Sequence, residues 1–343
     1  MTGKPVLFGA LEDGRPVHAV TLAWPGGLSV TVLDYGAIVQ RLTAPSAAGP
    51  VDAVLGFADV TGYEADSFYQ GCVVGRCANR IAGAAFEIDG ERFTVTANEG
   101  DTCLHGGALG FGRRLWRFER VAEDGRAATL AYESLDGEEG FPGAVRARIF
   151  FSLAAPDTLM IAWGAAADRP TPVNLTHHLY FNLSGDPGRS ALDHELAIAA
   201  DAVTPVDARL IPTGERLAVD GGPFDLRRPR RLEEALAQGH PQLDLAGGGY
   251  DINWVLNPAA RPALRLRSPR TGLVLELSTD QPGMQVFSGQ SLRAPFAPFG
   301  GLALEPQGFP DAVHHPAFPD VVLRPGAVYR RWASYRFAPG APN

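Results

Sequence analysis

Cysteine is scarce in this sequence, and long apolar runs are missing from it. Its 343 residues include three cysteines, Cys72, Cys77 and Cys103, an odd number without a CxxC pair. This pattern argues against a disulfide framework or a zinc knuckle and predicts reduced, mostly buried thiols. No run of about 18 apolar residues occurs, and the N-terminal segment has no apolar core of the length found in signal peptides. We therefore expect a cytoplasmic protein that does not enter a membrane.

The sequence also lacks an excess of positive charge. Its 30 lysines and arginines are outnumbered by 38 aspartates and glutamates, which gives a net charge of −8. Charges of both signs are mixed along the chain, and no basic stripe could neutralise a run of phosphates. Nucleic-acid binding is therefore disfavoured.

Several motifs of nucleotide, nucleophile and metal chemistry are absent as well. The chain contains no GxGxxG that opens a helix, no GxxxxGK[ST], no GxSxG and no HExxH. These motifs mark dinucleotide sites, phosphate-binding loops, serine hydrolases and zinc proteases. Their absence removes support from those reaction classes.

The apolar residues are arranged in short runs that predict strands. Forty glycines and 28 prolines lie scattered between these runs, as expected for many tight turns. The strongest signal is residues 85–95 (AFEIDGERFTV), where Asp89 and Gly90 supply the positive φ angles of a hairpin. Residues 264–277 predict a second antiparallel pair around a turn at 268–272.

Helical periodicity is rare. Further strands are predicted at residues 28–33, 144–153, 159–163 and 321–323. The best helix lies near residues 231–238, with Gly239 and Pro241 as its stop signal. Many strands with few helices favour an all-β fold of antiparallel sheets packed face to face. Because no linker or repeat interrupts the pattern, we expect one domain over residues 1–343.

Some polar residues lie in apolar or glycine-rich surroundings. Residues 75–81 (GRCANRI) place Arg76, Asn79 and Arg80 among apolar positions, where a structural salt bridge is the usual explanation for a single arginine. His105 is followed by Gly106 and Gly107, which lack Cβ atoms and would let another molecule approach the ring. A lone histidine is more often a satisfied turn residue.

Two adjacent histidines occupy residues 174–182 (NLTHHLYFN). On a strand, His177 and His178 would point to opposite faces, so they cannot both ligate one metal ion without distortion. The same geometry applies to His314 and His315, and a metal site is disfavoured. One member of the first pair could face a pocket as an acid near neutral pH while the other is structural.

Two carboxylates stand beside predicted strands. Glu305 follows an apolar run and precedes Pro306, which predicts a strand end. An isolated carboxylate buried there would cost several kcal/mol, so Glu305 is either exposed or functional. Asp251 precedes the apolar residues 252–256, where it could equally serve as a turn former.

Taken together, these segments resemble the galactose mutarotase (aldose 1-epimerase) family, in the same order and over most of the chain. The matching segments are residues 75–81, 104–107, 172–183, 204–214, 223–225, 250–251, 283–285 and 305–313. The sequence departs from the commonest family pattern at His177, where Asn is frequent, and at Pro306, where residues such as Thr are also frequent.

The resemblance implies a single large β-sandwich, the galactose mutarotase-like super-sandwich, with a sugar cleft across one sheet. It implies an enzyme that interconverts the α and β anomers of a free aldose such as galactose or glucose, without a cofactor or metal. Glu305 resembles the catalytic base and His178 the general acid. The positions similar to the family's sugar-binding residues are Arg80, His105, Asp251, Asn79 and Gln285. The expected partner is a small monosaccharide, and the chain is expected to be a monomer or a homodimer.

This chemistry suits the two residues, because ring opening removes a proton from the anomeric hydroxyl and delivers one to the ring oxygen. A Glu305 carboxylate and a His178 imidazolium could exchange these protons near neutral pH, from opposite sides of the reacting centre. Two alternatives remain. A non-catalytic sugar-binding module would lack the acid or the base, and a hexose 6-phosphate epimerase would favour further cleft arginines, for which Arg113, Arg114 and Arg293 are available.

Overall fold

The computed structural model of the protein describes residues 4–47 and 49–340. This part of the chain contains 28 strands, four 3₁₀ turns and three short α-helices, which are α1 (Val60–Ala65), α2 (Leu232–Leu236) and α3 (Pro241–Leu245). None of the described helices is long and apolar enough to cross a membrane.

The first third of the chain forms a small sheet followed by short strand pairs. An antiparallel five-stranded meander is made by β1 (Val6–Ala10), β2 (Pro16–Ala23), β3 (Ser29–Leu33), β4 (Val39–Ala44) and β5 (Val51–Asp52). The short strands that follow are β6 (Val73–Val74), β7 (Arg80–Ile81), β8 (Ala85–Ile88), β9 (Glu91–Thr94) and β10 (Cys103–Leu104).

The remaining strands supply two large antiparallel sheets, one further short strand pair and a partner for β6. They are β11 (Arg117–Val121), β12 (Ala127–Ser134), β13 (Val145–Ala155), β14 (Thr158–Ala167), β15 (Thr171–Pro172), β16 (Thr176–His177), β17 (Tyr180–Phe181), β18 (Glu195–Ile198), β19 (Ala200–Thr204), β20 (Leu217–Ala218), β21 (Arg230–Arg231), β22 (Asp251–Leu256), β23 (Leu264–Arg267), β24 (Leu273–Thr279), β25 (Gly283–Phe287), β26 (Leu302–Gln307), β27 (Val322–Leu323) and β28 (Tyr329–Pro339). The nine-stranded sheet has the order β11-β12-β13-β14-β28-β24-β23-β18-β21, and the six-stranded sheet has the order β17-β26-β25-β22-β19-β20.

The two large sheets share one hydrophobic core. Along β13 every second residue is buried, because successive side chains of a strand point to opposite faces. Ile149 and Trp163 from the nine-stranded sheet belong to the same buried cluster as Trp254, Met284 and Leu304 from the six-stranded sheet. Burying a side chain of the Leu or Phe type contributes about 1.5–3 kcal/mol, so this shared layer dominates the stability of the sandwich.

Strand β26 is buried on both faces, so that one face packs in the core while the other carries a site residue. All six of its residues are buried. Leu302 and Leu304 point into the shared core. Ala303 and Glu305 alternate with them and therefore point to the outer face of the six-stranded sheet. The carboxyl group of Glu305 thus stands on a rigid strand that the core holds from behind.

The strands predicted from residue patterns are confirmed. β8 and β9 form the predicted hairpin, in which Asp89 and Gly90 have φ angles of 54° and 83°. β23 and β24 form the second pair. The other predicted strands correspond to β3, β13, β14 and β27, with bounds shifted by a few residues, and the predicted helix is α2.

Some local predictions were wrong. Glu305 does not end its strand, since the ladder with β25 continues through Pro306 to Gln307. Proline is tolerated because the N–H that it lacks would point toward β17, like that of Leu304 two residues earlier. β17 pairs with β26 only at Ala303 and Leu302, so no ladder bond is lost there. Pro241, expected only as a stop signal, is also the first residue of α3, a position that proline favours.

His177 lies in the core and is held by two hydrogen bonds. The indole Nε1–H of Trp163 donates to His177 Nδ1 at 2.9 Å, and His177 Nε2 lies 3.1 Å from the carbonyl oxygen of Ala37. Because Nδ1 accepts, the ring proton is on Nε2 and is donated to that carbonyl. Burial lowers the pKa of His177 to about 4, so the ring is neutral near pH 7.

Replacing His177 should therefore affect stability. In His177→Phe the indole of Trp163 and the carbonyl of Ala37 lose their buried partners, which we expect to destabilise the fold by about 2–4 kcal/mol. Denaturant unfolding measures this loss. His177→Asn keeps a donor and an acceptor and should cost less. A His177→Phe variant as stable as the wild type would contradict the structural role.

Candidate active site

A cleft of about 310 Å³ opens on the outer face of the six-stranded sheet. Its titratable and amide-bearing side chains include those of Asn79, Arg80, Glu99, His105, His178, Asp251 and Glu305. Its apolar walls include Phe68, Leu210, Leu245 and Phe287. A larger depression of about 650 Å³ lies near Arg216 and Arg261 and contains none of the residues expected at the site.

Strand register brings the two carboxylates of the site to the same face. Glu305 lies opposite Gln285 on β25, which in turn lies opposite Asn253 on β22. Asp251 is two residues before Asn253, so it points to the same side of the sheet. The site carboxylates therefore come from strands that are two positions apart in the sheet and fixed by its ladder.

A second short ladder places Asn79, Arg80 and His105. Arg80 on β7 lies opposite Leu104 on β10. Beyond this pair, the His105 N–H donates to the Asn79 carbonyl at 2.9 Å, and the Asn79 N–H donates to His105 Nδ1 at 3.2 Å. Both residues have positive φ angles, 62° and 52°, which turn the chain at the cleft wall. These bonds fix the His105 ring so that its Nε2 carries the proton.

The glycines after His105 serve a different purpose from the one expected. A Cβ atom on Gly106 would lie 2.1 Å from the Gly75 carbonyl oxygen, and one on Gly107 would lie 2.3 Å from a carboxylate oxygen of Glu139. Real Cβ contacts do not come so close. The glycines therefore admit neighbouring parts of the protein, not a ligand.

Glu305 and His178 are in direct contact at the bottom of the cleft. Glu305 Oε1 lies 3.5 Å from His178 Nε2, and their side chains are 2% and 6% exposed. Glu305 Oε2 and His178 Nδ1 have no hydrogen-bond partner among the described residues. A buried polar atom without a partner is costly, and such atoms in a folded protein call for an explanation such as a catalytic role of the group.

Burial determines the protonation of this pair. Burial raises the pKa of Glu305 well above its usual value, the Asp251 carboxylate adds to the shift, and Arg80 opposes it. Burial lowers the pKa of His178 to about 3. Both shifts favour neutral groups, since desolvation disfavours the charged form of each. Burial of the pair therefore disfavours the imidazolium that the sequence led us to expect.

Arg80 joins two carboxylates at the cleft wall. Its Nε and Nη2 donate to Glu99 Oε2 at 2.6 Å and Oε1 at 2.9 Å. Its Nη1 lies 3.6 Å from Asp251 Oδ2. The amide of Gln285 donates to Asp251 Oδ1 at 2.6 Å. Gln285 is buried and is not among the described residues that line the cleft, and its expected role in sugar binding stays a prediction.

Comparisons with known proteins show the family of the chain. The sequence profile of a family described as Aldose 1-epimerase matches residues 18–336. The human protein named galactose mutarotase is 38% identical over 343 aligned positions, which cover 97% of each chain. The Escherichia coli K12 protein named aldose 1-epimerase is 34% identical over 338 positions, 95% of this chain and 96% of its own. The chain belongs to the aldose 1-epimerase family.

Solved structures of the family share the fold. An aldose epimerase homologue from C. elegans matches with a TM-score of 0.87 and 30% identity over 94% of this chain and 99% of its own. Galactose 1-epimerase from Lactobacillus acidophilus matches with a TM-score of 0.89 and 26% identity over 99% and 100% of the two chains. The predicted all-β, galactose mutarotase-like sandwich is confirmed.

Family resemblance pointed to six of the residues that line the cleft, but it missed others. Tyr69 packs edge-on against His105, with ring centroids 4.5 Å apart, and stacks on His178 at 6.0 Å. Glu99 pairs with Arg80. Neither residue stood in a segment that matched the family pattern, and no residue pattern marks them.

Arg76, the other arginine of its segment, has a structural role and does not reach the cleft. Its guanidinium donates to the carbonyl oxygens of Leu135, Pro142 and Gly143 at 2.7–3.0 Å. The salt bridge weighed for this segment is therefore found at Arg80, whereas Arg76 holds the backbone of a neighbouring loop.

The cleft also contains a possible set of metal ligands, His105, His178 and Glu305, whose ligand atoms all lie within 4.8 Å of one another. A histidine nitrogen binds a metal only when it carries no proton. His105 Nδ1 is occupied by the Asn79 N–H, and Nε2 carries the proton. The ring is therefore arranged as a hydrogen-bond donor, which suits a sugar hydroxyl better than a cation.

Proposed function

We propose that this member of the aldose 1-epimerase family interconverts the α and β anomers of free aldoses, with Glu305 as the base and His178 as the acid of ring opening. The chain acts as an isomerase. The observation that carries the proposal is the 3.5 Å contact between Glu305 and His178 inside a cleft lined with carboxylate, imidazole, guanidinium and amide side chains. The activities in the names of the human and E. coli relatives agree with it.

The contact between the two groups fits the geometry of a hemiacetal. We expected the two groups on opposite sides of the reacting centre, whereas they are neighbours in the structure. The anomeric hydroxyl and the ring oxygen are bonded to the same carbon, so neighbouring groups can serve both. Glu305 removes the hydroxyl proton, the bond from C1 to the ring oxygen breaks, and His178 protonates that oxygen. The aldehyde rotates about its C1–C2 bond and closes on the other face, while the two groups exchange roles.

The pair shares one proton through this cycle. Ring opening starts from a Glu305 carboxylate and a His178 imidazolium, which form from the neutral pair when the Glu305 carboxylic acid passes its proton to His178 across their 3.5 Å contact. It ends with a carboxylic acid and a neutral imidazole. Burial favours the neutral pair, as the raised pKa of Glu305 and the lowered pKa of His178 indicate. The cleft thus stabilises the protonation state that accompanies the open-chain sugar. The cycle returns both groups to their starting state and consumes no cofactor.

The surrounding residues hold the sugar in place. Asp251 accepts hydrogen bonds from hydroxyls, and Arg80, His105 and Asn79 offer donors. Fixing the reacting atoms in a near-attack geometry contributes several kcal/mol to many enzymes, so correct orientation adds to the acid and base effects.

Asp251→Ala should mainly weaken sugar binding. The variant loses a charged acceptor for the substrate, and such hydrogen bonds are worth about 1.5–3 kcal/mol, which corresponds to a KM raised about 10–100-fold. Initial rates at varied sugar concentration separate KM from kcat. A large loss of kcat at unchanged KM would show that Asp251 belongs to the chemical step instead.

The cleft favours an unphosphorylated sugar. Arg80 is its only arginine or lysine among the described residues. Arg113 donates to the carbonyls of Tyr63 and Glu64, and Arg114 lies near Glu138 and Glu139. Neither these arginines nor Arg293 are among the described residues that line the cleft.

Progress curves of optical rotation test the proposed function. Freshly dissolved α-glucose, α-galactose, xylose, arabinose and glucose 6-phosphate should be compared, and the free sugars should equilibrate faster in proportion to protein concentration. A pure sugar-binding module would leave every curve at the buffer rate. Acceleration confined to glucose 6-phosphate would favour the phosphosugar alternative.

We further propose one domain over residues 1–343, because the shared core includes residues from the first to the last large strands. A monomer or homodimer in the cytoplasm remains our expectation, and light scattering would distinguish the two assemblies. The net charge of −8 supports a protein that works without nucleic acid.

A further inference from the structure

Glu99 binds one edge of the Arg80 guanidinium. Both oxygens of Glu99 accept from Arg80, at 2.6 and 2.9 Å, in a bidentate contact with Nε and Nη2. The Arg80 side chain is 8% exposed and that of Glu99 is 40% exposed. A bidentate pair fixes the plane of the guanidinium as well as its position. The edge formed by Nε and one N–H of Nη2 is therefore not free for the sugar, and the donors that remain are those of Nη1 and the second N–H of Nη2.

The backbone that carries Glu99 is fixed to the strand pair that carries Arg80. Glu99 and Thr102 exchange backbone hydrogen bonds at 3.1 and 2.9 Å in a tight turn. The side chain of Asn98 accepts from the Leu104 N–H at 2.7 Å and donates to its carbonyl at 3.0 Å. Leu104 pairs with Arg80 across the ladder of β7 and β10. Arg80 and Glu99 are therefore both held by the β7–β10 pair and the turn that is bonded to it.

We propose that Glu99 is a positioning residue for sugar binding, which holds the guanidinium of Arg80 so that Nη1 faces Asp251 and the hydroxyls of the bound aldose. The proposal rests on the proposed function of the cleft. Glu99 lines the cleft, and because both of its oxygens accept from Arg80, we place its effect on sugar binding through Arg80.

The direct test is Glu99→Gln, which keeps the shape of the side chain and removes its charge. We expect KM for galactose or glucose to rise about tenfold and kcat to change by less than about threefold, since a charged hydrogen bond that orients a binding group is lost. Glu99→Asp, which keeps the charged acceptor, should recover most of the loss. An unchanged KM in Glu99→Gln would overturn the proposal, and so would a loss confined to kcat.

A matched control exists on the nine-stranded sheet. Glu119 binds Arg148 with the same bidentate geometry, at 2.6 and 3.0 Å, outside the cleft. Glu119→Gln should leave KM and kcat at the wild-type values. If it raised KM as much as Glu99→Gln, the effect would be a general consequence of losing a bidentate ion pair.

A double-mutant cycle separates the indirect role from direct contact. In an Arg80→Ala background, Glu99→Gln should have no further effect on KM, because the residue through which Glu99 acts is gone. An undiminished effect there would show that Glu99 touches the sugar and would overturn the proposal. Calorimetric titration with galactose gives the same comparison as dissociation constants. It remains informative if the wild type binds sugar without turnover, in which case the proposed function fails while the role of Glu99 is still tested.

Discussion

Glu305→Gln should lower kcat for anomer interconversion by about 10²–10⁴-fold, the usual contribution of a positioned acid or base. Glutamine fills the same space on β26 but cannot take the proton of the anomeric hydroxyl. Polarimetry measures the rate, and circular dichroism with calorimetric sugar binding shows whether the variant is folded and still binds. Wild-type turnover in this variant would remove the base assignment.

The same substitution should stabilise the protein at alkaline pH. The folded-state pKa of Glu305 lies well above its usual value of 4.5, because burial and Asp251 disfavour the carboxylate. The stability that the protonated group contributes is complete below its unfolded pKa and is lost as pH rises through the folded pKa. Removing the charge should therefore raise Tm at pH 8 by about 2–6 °C.

The pH dependence of this gain is its control. Near pH 5 the wild-type group is still protonated in the folded state, so the difference in Tm between Glu305→Gln and the wild type should shrink. A difference that is the same at both pH values would indicate a packing effect, and a variant less stable than the wild type at pH 8 would contradict the assigned pKa shift.

His178→Asn should also lower kcat by about 10²–10⁴-fold, since the ring oxygen loses its proton donor. Because the two residues share one proton, their effects should not add. The double variant should be nearly as active as the slower of the two single variants. If the double loss equals the product of the single losses, Glu305 and His178 act independently and the shared-proton account fails.

Much of the fold could be predicted from local residue patterns. The hairpin around Asp89 and Gly90 depends on neighbours in the sequence, and so do the alternating strands that became β13 and β14. Pro306 could not be placed correctly in this way. Its position inside β26 is allowed because β17 does not pair with β26 beyond Leu302 and Ala303. How far a neighbouring strand extends cannot be predicted from the residues around Pro306.

The candidate site could be predicted only in part, and for a related reason. Resemblance to a family pointed to Glu305, His178 and Arg80 one by one. It did not give their protonation, because the burial that shifts the pKa values of Glu305 and His178 comes from segments far apart in the chain. It also missed Glu99, whose contact with Arg80 arises from the folding of a polar turn.

The most direct test of the central claim is exchange of magnetisation between the α and β anomeric protons of galactose or glucose at equilibrium, followed by NMR. With the wild type we predict exchange that grows with protein concentration while the ratio of anomers stays constant. Glu305→Gln at the same concentration should show no exchange above the buffer level. Wild-type protein that binds the sugar but leaves exchange at the buffer level would contradict the account.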